Sequence, residues 1–212
     1  MHYIKDGFLN NYEKAIREHY KIISPYNKND KYDVYGFGAD IDDDFKKIFN
    51  LNGTNNPSIT GIENIISECK KTVNKVQFSG AIYFAPIISE VAKKIEEKKD
   101  INSNNYYILL IISDGEIYDI NETINNIIRA SKLPMSFIII GIGADVTSDM
   151  KTLNGEKGKL ISKNGEELKK DIVQYVHFKD FANNLNKLAD EVLNIFQDKL
   201  PIILKKNRVY IK

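Results

Sequence analysis

The chain has 212 residues, 42% of them apolar, enough for one domain with a core of its own or one domain with an appendage. A net charge of +1 gives no electrostatic case for nucleic acid or an acidic substrate. A single cysteine, Cys69, excludes an internal disulfide framework and a cysteine-rich zinc site. The mean hydropathy of −0.35 and an amino terminus without an apolar signal region read as an intracellular, cytoplasmic protein.

After a short lead, Asn10 or Asn11 can cap a helix running to about Ile23. Tyr12, Ala15, Ile16, Tyr20 and Ile23 fall on one stripe at 3.6-residue spacing, and Ser24-Pro25 stops it. A strand is expected over 32–39 (YDVYGFGA), with Gly36 and Gly38 marking close backbone approach near its end. The acidic run 40–44 lacks the Gly and terminal Glu of an EF-hand loop, so it reads as a solvated loop. Residues 48–51 suggest a short edge strand. Thr60 and Glu63 have the spacing of a capping box, opening a helix with Ile62, Ile65, Ile66, Cys69 and Val73 inward. Cys69 is then a small buried hydrophobe rather than a nucleophile. Residues 76–80 and a turn lead to a helix over about 83–98, whose Pro86 must lie in the first turn. A charged surface loop follows at 98–105.

The organising stretch is 106–113 (YYILLIIS), uncharged and apolar, suited to a strand buried on both faces. It delivers Asp114 to the carboxyl edge of a sheet, where ligands of open α/β folds bind. Asn121 caps a helix to about Lys132 with Ile124, Ile127 and Ile128 inward, and Pro134 ends it. Residues 135–142 (MSFIIIGI) form a second buried strand, adjacent and parallel to the first across a right-handed crossover. The polar stretch 145–167 carries a hairpin near Lys163-Asn164-Gly165, 172–178 is a last strand, and 181–199 a closing helix packing Leu185, Leu188, Val192 and Phe196. The fold class is α/β, a three-layer, doubly wound, mostly parallel sheet over residues 1–200, with a basic tail at 201–212. No catalytic motif stands out: there is no Gly-x-Ser-x-Gly elbow, phosphate loop or His-Glu-x-x-His helix, and His2, His19 and His177 lie far apart in sequence. The chain reads as a non-enzyme.

Several stretches in matching order and spacing resemble the von Willebrand A-type domain of copines: YGFGADI (35–41), FAPII (84–88), YYILLIISDGEIYD (106–119), ASKLPMSFIIIGIG (130–143), SDMKTLNG (148–155) and DIVQYVHF (171–178). The resemblance implies a metal-ion-dependent adhesion site built from three loops at the carboxyl edge. Only its Asp is plainly present, as Asp114. No Asp-x-Ser/Thr-x-Ser loop precedes the first helix, and Ile82 stands where the family has a Thr. The expectation is a degenerate site that needs no cofactor, with Mg²⁺ or Ca²⁺ returning to consideration only if an upstream metal-site loop is supplied. The same comparison leaves the sheet short of its first strand, so the isolated chain is expected to be poorly soluble or oligomeric.

What the resemblance implies about function is a protein-interaction domain of a copine-like protein, whose full-length relatives bind phospholipid in a calcium-dependent way. The partner would meet the carboxyl edge at Ser79, Gly80, Tyr83, Asp114, Gly115, Glu116, Asp119, Asp145 and Asp149. Membrane contact, peripheral at the plasma membrane, would come from lipid-binding modules outside these residues. Three alternatives stand beside it: a lipid-surface adaptor using the basic tail, a ubiquitin-ligase-associated copine domain, and a kinase-like enzyme.

Overall fold

The computed structural model describes residues 10–41, 44–78, 80–98, 105–143 and 146–181, together with Asn184 and Lys187. The closing helix and basic tail expected beyond residue 181, the lead before Asn10, and Ser79 and Asp145 lie outside the described residues. By contact the chain groups into two units, Met1–Tyr83 and Phe84–Lys212.

The first unit is a mixed α/β assembly of short antiparallel pairings. Helix α1, Asn11–Ile23, starts where Asn10 caps it, accepting from the Glu13 N–H at 2.9 Å. The single strand expected over 32–39 is instead three pieces: β1 (Lys31–Asp33), β2 (Tyr35–Gly36) and β3 (Ala39–Ile41). Each pairs antiparallel with a different partner. The two described ends of the acidic run lie in a ladder rather than a solvated loop, since β3 pairs with β4 (Asp44–Lys46) and Ile41 faces Asp44. β5 (Phe49–Asn50) pairs with β2, β6 (Ser58–Thr60) with β1, and β7 (Gln77–Phe78) with the other side of β3. The two glycines break up the strand. A Cβ on Gly36 would sit 2.2 Å from the Phe49 ring of the facing strand, and Gly38 turns through φ +67 against the Ala81 carbonyl.

Helix α2, Ile62–Val73, is capped by Gly61 at φ +77 without a side-chain bond, so the Thr60/Glu63 capping box does not form. Thr60 is held in the ladder opposite Lys31, and Glu63 turns outward to a bidentate pair with Arg17 at 2.6 and 2.9 Å. The buried stripe of α1 is Glu13, Ala15, Glu18, His19 and Ile22, rotated about one position from the expected one. Tyr20 lies at the boundary because its hydroxyl donates to Asp30 at 2.8 Å, and Glu13 reaches Lys70 on α2 at 3.2 Å. His19 is 1% exposed, and burial pushes its imidazole down to about 4, partly opposed by the Ala15 carbonyl one turn back.

The second unit carries the parallel sheet. Its order is β10 (Val173–His177), β9 (Met135–Gly141), β8 (Tyr107–Ser113), all parallel. Helix α3 (Ala85–Glu97) precedes β8, with Pro86 in its first turn as expected, and α4 (Ile120–Ala130) forms the crossover to β9. The most buried strand is β9, buried at every position but Ser136, whereas β8 is half-buried along most of its length. The stretch read as the doubly buried centre is therefore an outer strand of the described sheet. Its register, Tyr107 opposite Met135 through Ser113 opposite Gly141, is that of the expected β-α-β unit. The polar stretch after β9 contains a helix the sequence reading omitted, α5 (Ser148–Leu153), capped by Thr147. The hairpin at 163–165 is present, with Ile161 bridging Glu167 and Gly165 at φ +79.

Candidate functional site

At the carboxyl edge of the parallel sheet two exit loops are packed backbone to backbone. A Cβ on Gly143, just past β9, would lie 2.9 Å from the Asp114 carbonyl, just past β8, so only glycine allows the contact. The Ile142 N–H donates to the Ser113 carbonyl at 2.8 Å and extends the ladder up to this point. From the far side the His177 ring, 9% exposed at the end of β10, donates Nε2–H to the Gly143 carbonyl at 3.0 Å. Its Nδ1 faces the Asp180 carboxylate at 3.6 Å. His177 thus ties the β9 loop to β10, a structural role for a histidine that ends a strand.

The segment following Asp114 is pinned at two places. Ile117 is 5% exposed and anchors the loop in the core. Asp119 is the N-cap residue of α4, a position the sequence reading gave to Asn121, but its carboxylate caps a different helix. One oxygen accepts from the Phe84 N–H and the Thr123 hydroxyl, each at 3.0 Å, and the other from the Ala85 N–H at 3.0 Å. A negative charge thereby meets the positive end of α3 and satisfies two of its orphan donors. Asp119 is committed to the fold. Between the two anchors Tyr118 stands 66% exposed, and Glu116 is exposed one residue past Gly115.

The other site candidates separate. Asp149 sits in the first turn of α5, where its charge suits the helix N-terminus. Gly80 and Tyr83 belong to the first unit. Gly80 is exposed at φ +74, and Tyr83 packs edge-on against Phe45 at 5.7 Å with Lys47 Nζ 5.1 Å from its ring centroid. The Asp114, Gly115, Glu116 and Asp119 stretch and Gly143 are brought together. His177 and Thr123 were not picked out from sequence as parts of this edge, and the available signal was the Asp119/Thr123 spacing across a helix start.

A metal ion fits this donor set poorly. Mg²⁺ and Ca²⁺ take six or more oxygens, and among the described residues no three His, Cys, Asp or Glu side chains are grouped to hold one. Ile82, at the family's Thr position, offers no oxygen. Asp119 already accepts three hydrogen bonds.

Comparison with known proteins bears on what this edge belongs to. The copine family model matches residues 1–210. The chain belongs to the copine family. It is 34% identical to Copine-C of Dictyostelium discoideum over 183 residues, covering 86% of this chain and 34% of that protein. Protein BONZAI 2 of Arabidopsis thaliana is 37% identical over 184 residues, covering 85% and 31%, and Copine-A of Dictyostelium discoideum 33% over 212 residues, covering 97% and 35%. The chain spans about a third of the length of these curated relatives. The mixed α/β fold is consistent with the A-type domain of this family. No described helix is long and apolar enough to cross a membrane.

Proposed function

We propose that this copine chain is a non-catalytic protein-interaction domain whose partner docks on the loop 114–119 at the carboxyl edge. The observation that carries the reading is the pinning of that loop by Ile117 and Asp119, with Glu116 exposed just before the first anchor and Tyr118 exposed between the two. A pre-ordered loop loses little conformational entropy on docking, and an exposed tyrosine beside a carboxylate has the composition of a binding anchor. In a longer copine this domain would supply partner choice, and calcium-dependent membrane association would come from other modules.

The test compares affinity capture by the wild-type chain with capture by Tyr118→Ala and Glu116→Lys. Recovery of the same protein should fall at least about tenfold in both variants, and Tyr26→Ala, exposed in the other unit, should leave it unchanged. Undiminished recovery by both loop variants refutes the site. Calcium-free liposome sedimentation and ATP turnover check the lipid-adaptor and kinase alternatives directly, and a positive result in either would displace the reading.

A further inference from the structure

Asn-Gly occurs three times in the chain, at 52–53, 154–155 and 164–165, and the glycine is held in the same way at each. Gly53, Gly155 and Gly165 have φ of +66, +78 and +79. Each donates its N–H at 3.0 Å to the carbonyl three residues back, on Asn50, Thr152 and Ser162 respectively. What differs is the asparagine side chain. Asn52 donates Nδ2–H to the Asn56 carbonyl at 2.8 Å, and its Oδ1 accepts from the Thr54 N–H and hydroxyl at 3.1 and 3.2 Å. Asn154 accepts from the Tyr175 N–H on β10 at 2.9 Å and donates to the Glu156 carboxylate at 3.3 Å. Asn164 is exposed in the turn of the hairpin closed by the Ile161–Glu167 bridge. No hydrogen bond links its side chain to a described residue.

We propose that Asn164 is a self-acting covalent modification site, converted through a cyclic imide to aspartate and isoaspartate. The Gly165 backbone nitrogen attacks the Asn164 side-chain amide carbon, and a new C–N bond forms. The Cγ–Nδ2 bond breaks, the Gly165 proton passes through solvent to the departing nitrogen, and ammonia leaves. Water then hydrolyses one of the two imide C–N bonds. Opening on one side leaves an aspartate in a normal backbone. Opening on the other leaves isoaspartate, whose main chain runs through Cγ and is one methylene longer. Nothing is oxidised or reduced, and water is the one co-reactant. Glycine suits the step because no Cβ hinders its nitrogen. The unheld Asn164 amide can turn onto that nitrogen, whereas Asn52 and Asn154 must first give up their hydrogen bonds. Either product puts a carboxylate beside Glu166 and Glu167. The longer main chain of isoaspartate also strains the loop that the Ser162 N–H closes on the Glu166 carbonyl, and the Glu166 N–H on Ser162 Oγ, both at 2.9 Å.

The experiment incubates the full 212-residue chain in neutral buffer and follows each Asn-Gly peptide by mass spectrometry, reading the mass gained when an amide becomes an acid. Isoaspartate is counted by methyl transfer from labelled S-adenosylmethionine with an isoaspartyl carboxyl methyltransferase. Asn164 should convert at least about tenfold faster than Asn52 or Asn154, because opening two or more hydrogen bonds before attack slows a site by about that factor. In urea the three rates should converge, since the side-chain bonds are then gone. Asn164→Gln should remove the fast phase of methyl acceptance and leave the other two sites as they were. Conversion of Asn52 or Asn154 as fast as that of Asn164 in the folded chain overturns the inference. A lead for Asn164 that persists undiminished in urea also overturns it, because the flanking sequence and not the unheld side chain would then be decisive. So does an Asn164 that stays intact in the folded chain over the time in which the denatured chain converts.

Discussion

Replacing Asp119 by alanine should cost more stability than any other single change at the carboxyl edge. The carboxylate satisfies the Phe84 and Ala85 N–H groups at the start of α3 and the Thr123 hydroxyl, all at 3.0 Å. Phe84 and Thr123 are both 0% exposed, so water cannot replace what is lost. Losing a helix cap costs about 0.5–2 kcal/mol, and an orphaned buried hydroxyl adds about 1–3 kcal/mol. A total near 3 kcal/mol corresponds to a fall in Tm of about 6–12 °C in a chain of this size. Asp119→Asn keeps an acceptor and loses the charge that faces the helix dipole, so it should fall by less than half as much. Thr123→Val removes the orphaned hydroxyl, so Asp119→Ala with Thr123→Val should be less destabilised than the sum of the two single variants. Urea denaturation followed by circular dichroism measures all four proteins. An Asp119→Ala variant within about 0.5 kcal/mol of wild type would refute the clamp.

The other expectations concern pH, the thiol and metal ions. The His19 imidazole sits at about 4 in the folded chain against an ordinary 6.5, so the unfolded chain binds more protons between those values. Stability should fall as pH is lowered through that window, by roughly 3 kcal/mol at its end, and denaturation midpoints of His19→Leu should lose that slope. Burial raises the Cys69 thiol to about 11, so disulfide-reagent labelling at pH 8 should be about a hundredfold slower in native than in denatured protein. Equal rates would place the thiol in water. Millimolar Mg²⁺ or Ca²⁺ should leave the Tm unchanged; a site with Kd tenfold below the ion concentration would add about 1.4 kcal/mol, and a rise abolished by Asp114→Ala would contradict this.

Strand identity and partnership were legible in sequence where apolar runs were long and uninterrupted. The parallel pair over 107–113 and 135–141 and the Asn10 cap follow from runs and from capping chemistry. What failed was what depends on the neighbour. The run at 106–113 has the composition of a central strand, but burial depends on what covers its faces and edges, and composition is blind to that. The segment at 32–39 has β-propensity throughout, yet Gly36 under the Phe49 ring and Gly38 at positive φ cut it into three pairings. Thr60 and Glu63 have capping-box spacing, but Thr60 cannot stay in the ladder opposite Lys31 and also fold back as a cap. Two tyrosines on α1 counted as apolar because their rings are, while the Tyr20 hydroxyl bonds to Asp30 and holds that ring at the boundary.

Several of the residues expected to meet a partner at the carboxyl edge are carboxylates, and the geometry gives two of them other roles. Asp119 is spent on the α3 N-terminus and Asp149 stands at the start of α5, so carboxylates counted together in sequence serve separate helix ends. This follows from how α/β loops are made: each strand exit is followed by a helix start, and helix starts recruit Asp, Thr and Ser. A strand edge of this class is thus acidic for structural reasons before any ligand is considered. The residues that distinguish a docking surface from that background are the exposed ones that cap no helix. Within the loop from Asp114 to Asp119 the exposed side chains are Glu116 and Tyr118, which is why the capture experiment is built on them and not on the carboxylates at helix starts.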